Sequence, residues 1–327
     1  MPFRIRVSLI LLAVIIGSIV ILPLVWPIPR LEGLQPARIV AGPEATWIEV
    51  PDVALHARID GPVDETDAVG VVFLHGFGSN LVSFAVVQDA LSVDRRTVAY
   101  DRPGFGLTER VLDWQGDNPY APGTQVGHVI EAMDAAGIER AVLMGHSAGG
   151  PIAMEAALAH PDRVAGLILI GPAVYRGGGA PAWSRFLLST PQLERIGPLL
   201  MRQLGGAPGE NLLQSSYADP SRLQPDVQAA YRQATTVEDW DRALWELVKA
   251  SRATTIGERL DALTLPILVA TGAQDVIVPA EESRQLASEL PNATLLELDD
   301  CGHQPQEECA DAFLEGIDAW WGSVTLP

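Results

Sequence analysis

Residues 145–150 read GHSAGG, and this stretch decides the fold. It follows an apolar segment at 141–144 and precedes a segment with helical composition at 151–159. A serine between a strand and a helix lies on a sharp, strained turn, and the flanking glycines avoid clashes with neighbouring elements. Such a turn lifts the hydroxyl clear of a parallel sheet at the carboxyl ends of its strands, where ligands bind. The stretch therefore predicts Ser147 as a nucleophile.

Short apolar segments alternate with helical segments on both sides of this turn. Helices are predicted at about 83–91, 124–136 and 151–159. Continuously apolar strands between helices are typical of a largely parallel sheet that is covered on both faces. The predicted strands are 46–50, 53–59, 69–74, 96–100, 141–144, 164–170, 266–271 and 294–298.

One long segment, about 172–265, interrupts this alternation with helical patterns and no convincing strand. An insertion of this length is too long for a plain loop in a compact domain. We expect a helical cap over 175–262, inserted into an α/β core that comprises 46–174 and 263–327.

The N-terminal residues 7–26 carry no charged side chain. At about 1.5 Å per residue they would span about 30 Å, the thickness of the hydrocarbon core of a bilayer. This pattern predicts a transmembrane anchor over 1–28, followed by a Pro-rich linker over 29–45. Arg4 and Arg6 before the apolar run favour a catalytic domain outside the cytoplasm. A cleaved signal peptide is the alternative.

The overall charge limits the classes of partner. The chain of 327 residues has 41 acidic and 22 basic residues, a net charge of −19. Nucleic-acid binding needs clustered basic residues, so the composition argues against it. The sequence shows no metal or nucleotide site, and we expect no cofactor. Cys301 and Cys309 could pair outside the cytoplasm, but two buried thiols are the favoured interpretation.

A serine nucleophile needs a histidine base that a carboxylate orients. His303 fits best of the six histidines because it follows the last predicted strand. Asp275 follows the preceding strand, on the same edge of the sheet, and is the expected partner. Asp299 and Asp300 are the alternatives to Asp275.

The other histidines and the acidic residues of the cap are expected to have ordinary roles. His146 precedes the serine and is expected to point away from it. His56, His128 and His160 fall in predicted strands or helices, where packing or surface roles are usual. The cap carboxylates Glu238 and Asp241 are expected to be solvated.

Residues 75–78 read HGFG and follow the strand beside that of the nucleophile. The backbone N–H groups of Phe77 and Ala148 could converge there as an oxyanion hole. Losing one such donor typically lowers turnover by about 100- to 1000-fold.

Five motifs in this order resemble the α/β-hydrolase superfamily over about residues 46–322. The resemblance implies a mostly parallel eight-stranded sheet with a cap inserted after the sixth strand, and catalytic residues in the chain order Ser, Asp, His. It also implies a structural role for the second motif. The motifs are HGFG (75–78), DRPGFG (101–106), GHSAGG (145–150), GAQD (272–275) and GH (302–303).

Ser147 excludes haloalkane dehalogenases and epoxide hydrolases, which resemble this chain but need a carboxylate at that position. The leading interpretation is a serine esterase that forms an acyl-enzyme from a small-molecule ester, with a lipid-derived, apolar acyl group favoured by the predicted anchor. Carbon–carbon bond hydrolysis and cofactor-free perhydrolysis are the alternatives, and a non-catalytic binding protein is less favoured. The sequence leaves the oligomeric state open.

Overall fold

The computed structural model describes residues 3–63, 69–175, 179 and 182–326. Small parts of the predicted anchor, core and cap therefore lie outside the described residues: 1–2, 64–68, 176–178, 180–181 and 327.

The structure has an eight-stranded sheet whose strands are β1 (Thr46–Val50), β2 (Val53–Asp60), β3 (Gly70–Leu74), β4 (Thr97–Tyr100), β5 (Ala141–His146), β6 (Val164–Ile170), β7 (Ile267–Gly272) and β8 (Ala293–Leu298). Their order in the sheet is β1-β2-β4-β3-β5-β6-β7-β8. Strand β2 pairs antiparallel with both β1 and β4, and all pairs from β4 to β8 are parallel, so the sheet is mostly parallel as the resemblance implies.

Both faces of the central strands are buried, which explains their continuously apolar sequences. Successive side chains of a strand point to opposite faces. In β3, Val72 and Leu74 belong to the apolar cluster on one face, whereas Val71 and Phe73 belong to the cluster on the other. All four are at most 1% exposed.

Helices cover the sheet and connect its strands. The predicted helix at 83–91 is a 3₁₀ turn, Leu81–Phe84, followed by α3. The α-helices are α1 (Phe3–Val25), α2 (Ala37–Ala41), α3 (Ala85–Leu91), α4 (Pro122–Ala136), α5 (Gly149–Ala159), α6 (Arg185–Leu188), α7 (Pro191–Met201), α8 (Ala207–Ser215), α9 (Pro225–Gln233), α10 (Trp240–Ala250), α11 (Ala280–Glu289), α12 (Pro305–Glu308) and α13 (Ala310–Ser323). Further 3₁₀ turns are Ala182–Ser184, Arg202–Gly205, Pro220–Arg222, Ala234–Thr236, Ile256–Glu258 and Leu260–Ala262.

The segment between β6 and β7 carries α6 to α10, and we call it the cap segment. Its described residues include no strand of the sheet. Helices α7 and α10 pack together at a close approach: a Cβ added at Gly197 would lie 2.2 Å from the Trp245 ring. Val237 of the cap segment forms a β-bridge with Gln35 of the predicted linker. No other isolated β-bridge occurs among the described residues.

The prediction of a transmembrane anchor over 1–28 is wrong. Among the residues that the structure describes, no helix is both long and apolar enough to cross a membrane. Instead, α1 lies against α7, where Gln192 donates to the carbonyl oxygen of Val20 and Arg195 to that of Trp26. The predicted membrane location, with the catalytic domain outside the cytoplasm, depended on this anchor. That prediction is therefore also wrong.

Cys301 and Cys309 form a disulfide, with a Cα–Cα distance of 6.2 Å. The favoured interpretation of two separate buried thiols is therefore wrong. The two cysteines are eight positions apart in sequence. The bond closes a short loop that contains His303 and all of α12.

Candidate active site

Ser147 lies on the turn between β5 and α5 with a φ of 50°, a left-handed conformation that is costly for a residue with a side chain. Close packing and a hydrogen bond of the surrounding backbone hold the turn in place. A Cβ at Gly149 would lie 2.1 Å from the carbonyl oxygen of Leu74, so only glycine permits the close approach of α5 to β3. The Ser147 N–H donates to the carbonyl oxygen of Ile170 at 2.8 Å and fixes the turn to β6.

His303 and Asp275 meet at the carboxyl ends of the strands, both at most 6% exposed. The distance between His303 Nδ1 and Asp275 Oδ2 is 2.7 Å. The other carboxylate oxygen of Asp275 accepts hydrogen bonds at 2.9 Å from the N–H groups of Ile277 and Val278. These two bonds fix the carboxylate so that its free oxygen faces the imidazole.

The alternative carboxylates lie elsewhere. Asp299 and Asp300 are both exposed, and Asp300 accepts a hydrogen bond from the Gln274 side chain at 3.1 Å. The expectation of a solvated Asp241 is wrong, since this residue is 3% exposed and accepts from Arg202 at 2.7 Å. Arg202 precedes Asp241 by 39 residues, a distance at which a sequence gives no sign of the pair.

Two backbone amides beside Ser147 are available as donors. Among the described residues, neither the Phe77 nor the Ala148 N–H donates a hydrogen bond within the protein. Ala148 is the N-cap residue of α5, where backbone N–H groups have no helical partner. The loop of Phe77 approaches the nucleophile closely, because a Cβ at Gly76 would lie 3.0 Å from the Ser147 Cβ.

Residues 101–106 form hydrogen bonds to residues on both sides of the loop of Phe77. Asp101 accepts from the N–H groups of Leu81 and Leu107 at 2.7 Å and bonds the His56 ring at 2.8 Å. His75 accepts from the Arg102 N–H through Nε2 at 2.9 Å. Burial lowers the pKa of His75 to about 4, so its ring is a neutral hydrogen-bonding group.

A cavity of about 400 Å³ opens beside Ser147 and His303. The cap segment contributes apolar side chains to its lining, among them Leu204, Trp240 and Leu244, and also the charged Glu210 and Arg232. Further lining residues are Phe77, Ser79, His146, Tyr231, Ile277 and Gln304. Within the described residues, no group of three or more His, Cys, Asp or Glu side chains could hold a metal ion.

The sequence analysis misplaced His146, which was expected to point away from the site. This residue lines the cavity, and its ring centroid is 4.7 Å from that of His303. His146 Nε2 lies 2.8 Å from the carbonyl oxygen of His303, and burial lowers the pKa of His146 well below its usual range. A neutral His146 therefore supports the backbone of the predicted base.

A second group was missed altogether: Ser79, Tyr217, Tyr231 and Glu307 form a chain of hydrogen bonds at the cavity wall. These residues are scattered over more than 200 positions and have no common motif. No sequence signal would have joined them.

Comparison with known proteins agrees with the fold and with the motif order. The family model for the alpha/beta hydrolase fold matches residues 70–309. A 2-hydroxymuconate semialdehyde hydrolase from Pseudomonas sp. (strain CF600) is 31% identical over 252 residues, which cover 74% of this chain and 83% of the relative.

Solved structures give the same picture. The enol-lactonase from Burkholderia xenovorans LB400 superposes with a TM-score of 0.66 at 27% identity, covering 85% of this chain and 100% of that protein. A 2-hydroxy-6-oxo-6-phenylhexa-2,4-dienoate hydrolase from Rhodococcus sp. strain RHA1 has a TM-score of 0.62 at 25% identity, covering 85% and 99%. The family match over most of the chain and the eight-stranded sheet together show that this chain belongs to the α/β-hydrolase family.

Proposed function

We propose that this chain is a serine hydrolase that cleaves the bond between a carbonyl carbon and its leaving group in a small molecule. Ser147 is the nucleophile, His303 the base and Asp275 the carboxylate that orients the base. One observation carries the proposal: His303 bonds Asp275 at 2.7 Å and lines the same cavity as Ser147.

The proton is passed between Ser147 and His303 in two half-reactions. The Ser147 oxygen bonds to the carbonyl carbon while its proton moves to His303 Nε2, and the leaving group departs with the bonding electrons and takes that proton. His303 then removes a proton from water, which attacks the acyl group and frees Ser147 and a carboxylic acid. Asp275 stays ionised and stabilises the imidazolium formed in each half-reaction.

The oxyanion of each tetrahedral intermediate is assigned to the Phe77 and Ala148 N–H groups. Both amides lie beside Ser147 and have no protein acceptor among the described residues. Amides already fixed in place stabilise the developing charge without reorganisation.

We propose a carbon–carbon bond of an oxo acid as the bond that is cleaved. Relatives named for the hydrolysis of 2-hydroxymuconate semialdehyde support this choice over the lipid ester of the leading interpretation. A carbon leaving group makes the same demand on the site as an oxygen one, since it departs with the bonding electrons and must be protonated. The lipid-derived acyl group also loses its main support, because it depended on the predicted anchor.

A lactone or simple ester is the second candidate. An enol-lactonase is among the structural relatives, and the apolar side chains of Leu204, Trp240 and Leu244 in the cavity lining suit an uncharged acyl or alkyl group. The same residues would act in the same roles, with an alkoxide as the leaving group.

The test is a substrate panel assayed with the purified protein. It comprises 2-hydroxymuconate semialdehyde, an enol-lactone and p-nitrophenyl esters of two to eight acyl carbons, each at several concentrations. The proposal predicts the highest kcat/KM for the oxo acid, and a higher value for the lactone or the esters would favour the second candidate.

The matched control is Ser147→Ala, which keeps the fold and removes the nucleophile. Loss of turnover on every substrate in this variant is the expected result. A folded wild-type protein without turnover on the whole panel would contradict the proposed function and support the non-catalytic interpretation.

A further inference from the structure

A buried carboxyl group is connected to the substrate cavity through two hydroxyl groups. Glu307 Oε1 accepts a hydrogen bond from the Tyr231 hydroxyl at 2.8 Å, and that hydroxyl lies 3.0 Å from Ser79 Oγ. Tyr231 and Ser79 line the cavity with Ser147 and His303. Glu307 is thus two hydrogen bonds away from the space that the substrate fills.

The hydrogen bonds from Glu307 through Tyr231 to Ser79 connect three separate parts of the fold. Ser79 follows the loop of the proposed oxyanion donor Phe77, Tyr231 is on α9 of the cap segment, and Glu307 is on α12. The other oxygen of Glu307 accepts from the Tyr217 hydroxyl at 2.6 Å. Glu307 therefore has a hydroxyl partner on each oxygen, and only the Tyr231 side leads to the cavity.

The direction of these hydrogen bonds depends on the proton of Glu307. An ionised carboxylate only accepts, so both tyrosines donate to it. The Tyr231 oxygen is then free to accept a hydrogen bond from Ser79. The single hydroxyl hydrogen of Ser79 is used in that bond, so Ser79 can offer only a lone pair to the cavity. A protonated Glu307 can donate to Tyr231, which then donates to Ser79 and leaves the hydrogen of Ser79 free for a substrate.

We propose that Ser79 is a specificity-determining contact for an acceptor oxygen on the acyl part of the substrate, and that Glu307, acting through Tyr231, sets whether Ser79 offers a hydrogen or a lone pair. The ligand class is an acyl compound with a second oxygen, a ketone or an ether. The inference rests on the proposed function, since it assumes that the acyl group occupies this cavity.

The surroundings of Glu307 place the change between the two states near neutral pH. Burial raises the pKa of Glu307 to about 7, and the bonds from Tyr217 and Tyr231 oppose this rise. The 3₁₀ turn Leu81–Phe84, which packs on α12, adds no charged group, while Asp89 on α3 is exposed and paired with Arg58. Helix α9 carries the exposed Asp226 and the exposed Arg232, which pairs with Glu210. Other titratable groups nearby are Glu308 on α12, Arg222 against Glu308, and the exposed Asp311, Glu315 and Asp318 on α13.

The experiment compares two esters that differ in one group: p-nitrophenyl hexanoate and its analogues in which an ether oxygen replaces the methylene at position 3, 4 or 5. An ether oxygen only accepts hydrogen bonds. The quantity measured is the ratio of kcat/KM for ether and alkyl ester between pH 5.5 and 8.5. Any pH effect on the shared catalytic steps is common to both esters and cancels in this ratio.

We expect the ratio for at least one ether to fall roughly three- to tenfold as the pH rises through about 7, the effect of one neutral hydrogen bond. The ratio should be independent of pH in Glu307→Gln, Tyr231→Phe and Ser79→Ala. Tyr217→Phe is the matched control: it removes the donor to the other oxygen of Glu307, which is not on the path from Glu307 to Ser79, so the fall in the ratio should persist with a higher midpoint.

A pH-independent ratio in the wild type for all three ethers would overturn the inference, as would an unchanged fall in Glu307→Gln. If neither ester is turned over, the proposed ester chemistry fails separately. Binding of the same pairs to the Ser147→Ala variant, measured by calorimetry, then gives the ratio of dissociation constants. The inference predicts the same pH dependence for that ratio, and thermal melting identifies any variant that does not fold.

Discussion

The turn at 145–150 and the disulfide-closed loop at 301–309 each carry one half of the proposed proton transfer, but they are held in different ways. The turn is fixed by backbone contacts within the core, such as the bond from Ser147 N–H to Ile170 and the approach of Gly149 to Leu74. The loop is held by the core, where the Gln274 N–H donates to the carbonyl oxygen of Cys301 at 2.9 Å, and in addition by the cap segment.

Glu308 provides several of the contacts that hold the loop. Its carboxylate accepts from the N–H of Gly302 in the loop at 2.7 Å and from those of Ala218 and Asp219 in the cap segment at 3.0 and 2.8 Å. The His303 N–H itself donates to the carbonyl oxygen of Ser216 at 2.6 Å. The backbone of Ser147 is therefore held by β6, α5 and Ala173 directly after β6, whereas His303 is positioned by the core and by the helical part of the cap segment together.

The largest effect should come from the turn. Ser147→Ala is expected to lower kcat by about 10⁶-fold, as removal of a nucleophile does when the triad acts as a unit. The melting temperature should stay within a few degrees of the wild type, since the alanine keeps the Cβ and the backbone contacts. A variant that retains more than a hundredth of the wild-type rate would contradict the role of Ser147.

Asp275→Asn should have the next largest effect, because it alters the partner of the base without changing its shape. An amide at this position favours the wrong tautomer of His303, and kcat should fall by about 10⁴-fold. Asp300→Asn is the control, since Asp300 is exposed and bonds Gln274. Equal losses in the two variants would mean that the orienting carboxylate has been misassigned.

Glu308→Gln tests whether the cap segment positions the base. The new amide nitrogen would face backbone N–H donors that bond the Glu308 carboxylate in the wild type. Hydrogen bonds to a charged group contribute about 1.5–3 kcal/mol each. We expect kcat/KM to fall by about ten- to a hundredfold, and the rate of Ser147 labelling by an organophosphate to fall with it, because both reactions need His303 in place. Asp311→Asn, an exposed change nearby on α13, should have no effect. An equally small effect of Glu308→Gln would mean that the loop does not need these contacts.

Opening the disulfide should have the smallest effect on activity. A closed loop of this length stabilises a fold by about 2–3 kcal/mol in the chain-entropy model. Cys309→Ser, or treatment with dithiothreitol, should therefore lower the denaturant midpoint. The loss of kcat/KM should be smaller than in Glu308→Gln, because the Glu308 bonds remain. Complete inactivation would show that the disulfide, and not the cap segment, holds the base in place.

The same difference explains what the sequence could predict. The strands and the turn are predicted from local patterns: β3 and β6 are continuously apolar, and GHSAGG is contiguous. Asp275 and His303 are each predicted from their position after a strand. The family resemblance adds the sheet topology, which is confirmed.

The features that were missed or wrong all depend on contacts between distant segments. His146 could not be placed without the His303 backbone that it supports, nor Glu307 without Tyr217 and Tyr231. The pairing of the two cysteines depends on the folded path of the loop. The apolar run of α1 matched the length of a membrane span, but α1 contacts α7 of the cap segment.

Labelling with a fluorophosphonate tests the central claim most directly, because such reagents modify only a serine that a nearby base activates. We expect one adduct per chain in the intact mass, mapped by peptide sequencing to Ser147, with loss of activity in proportion to labelling. The adduct should be absent in Ser147→Ala and form much more slowly in His303→Gln. An adduct on another residue, or full activity after complete labelling of Ser147, would contradict the assignment of the nucleophile.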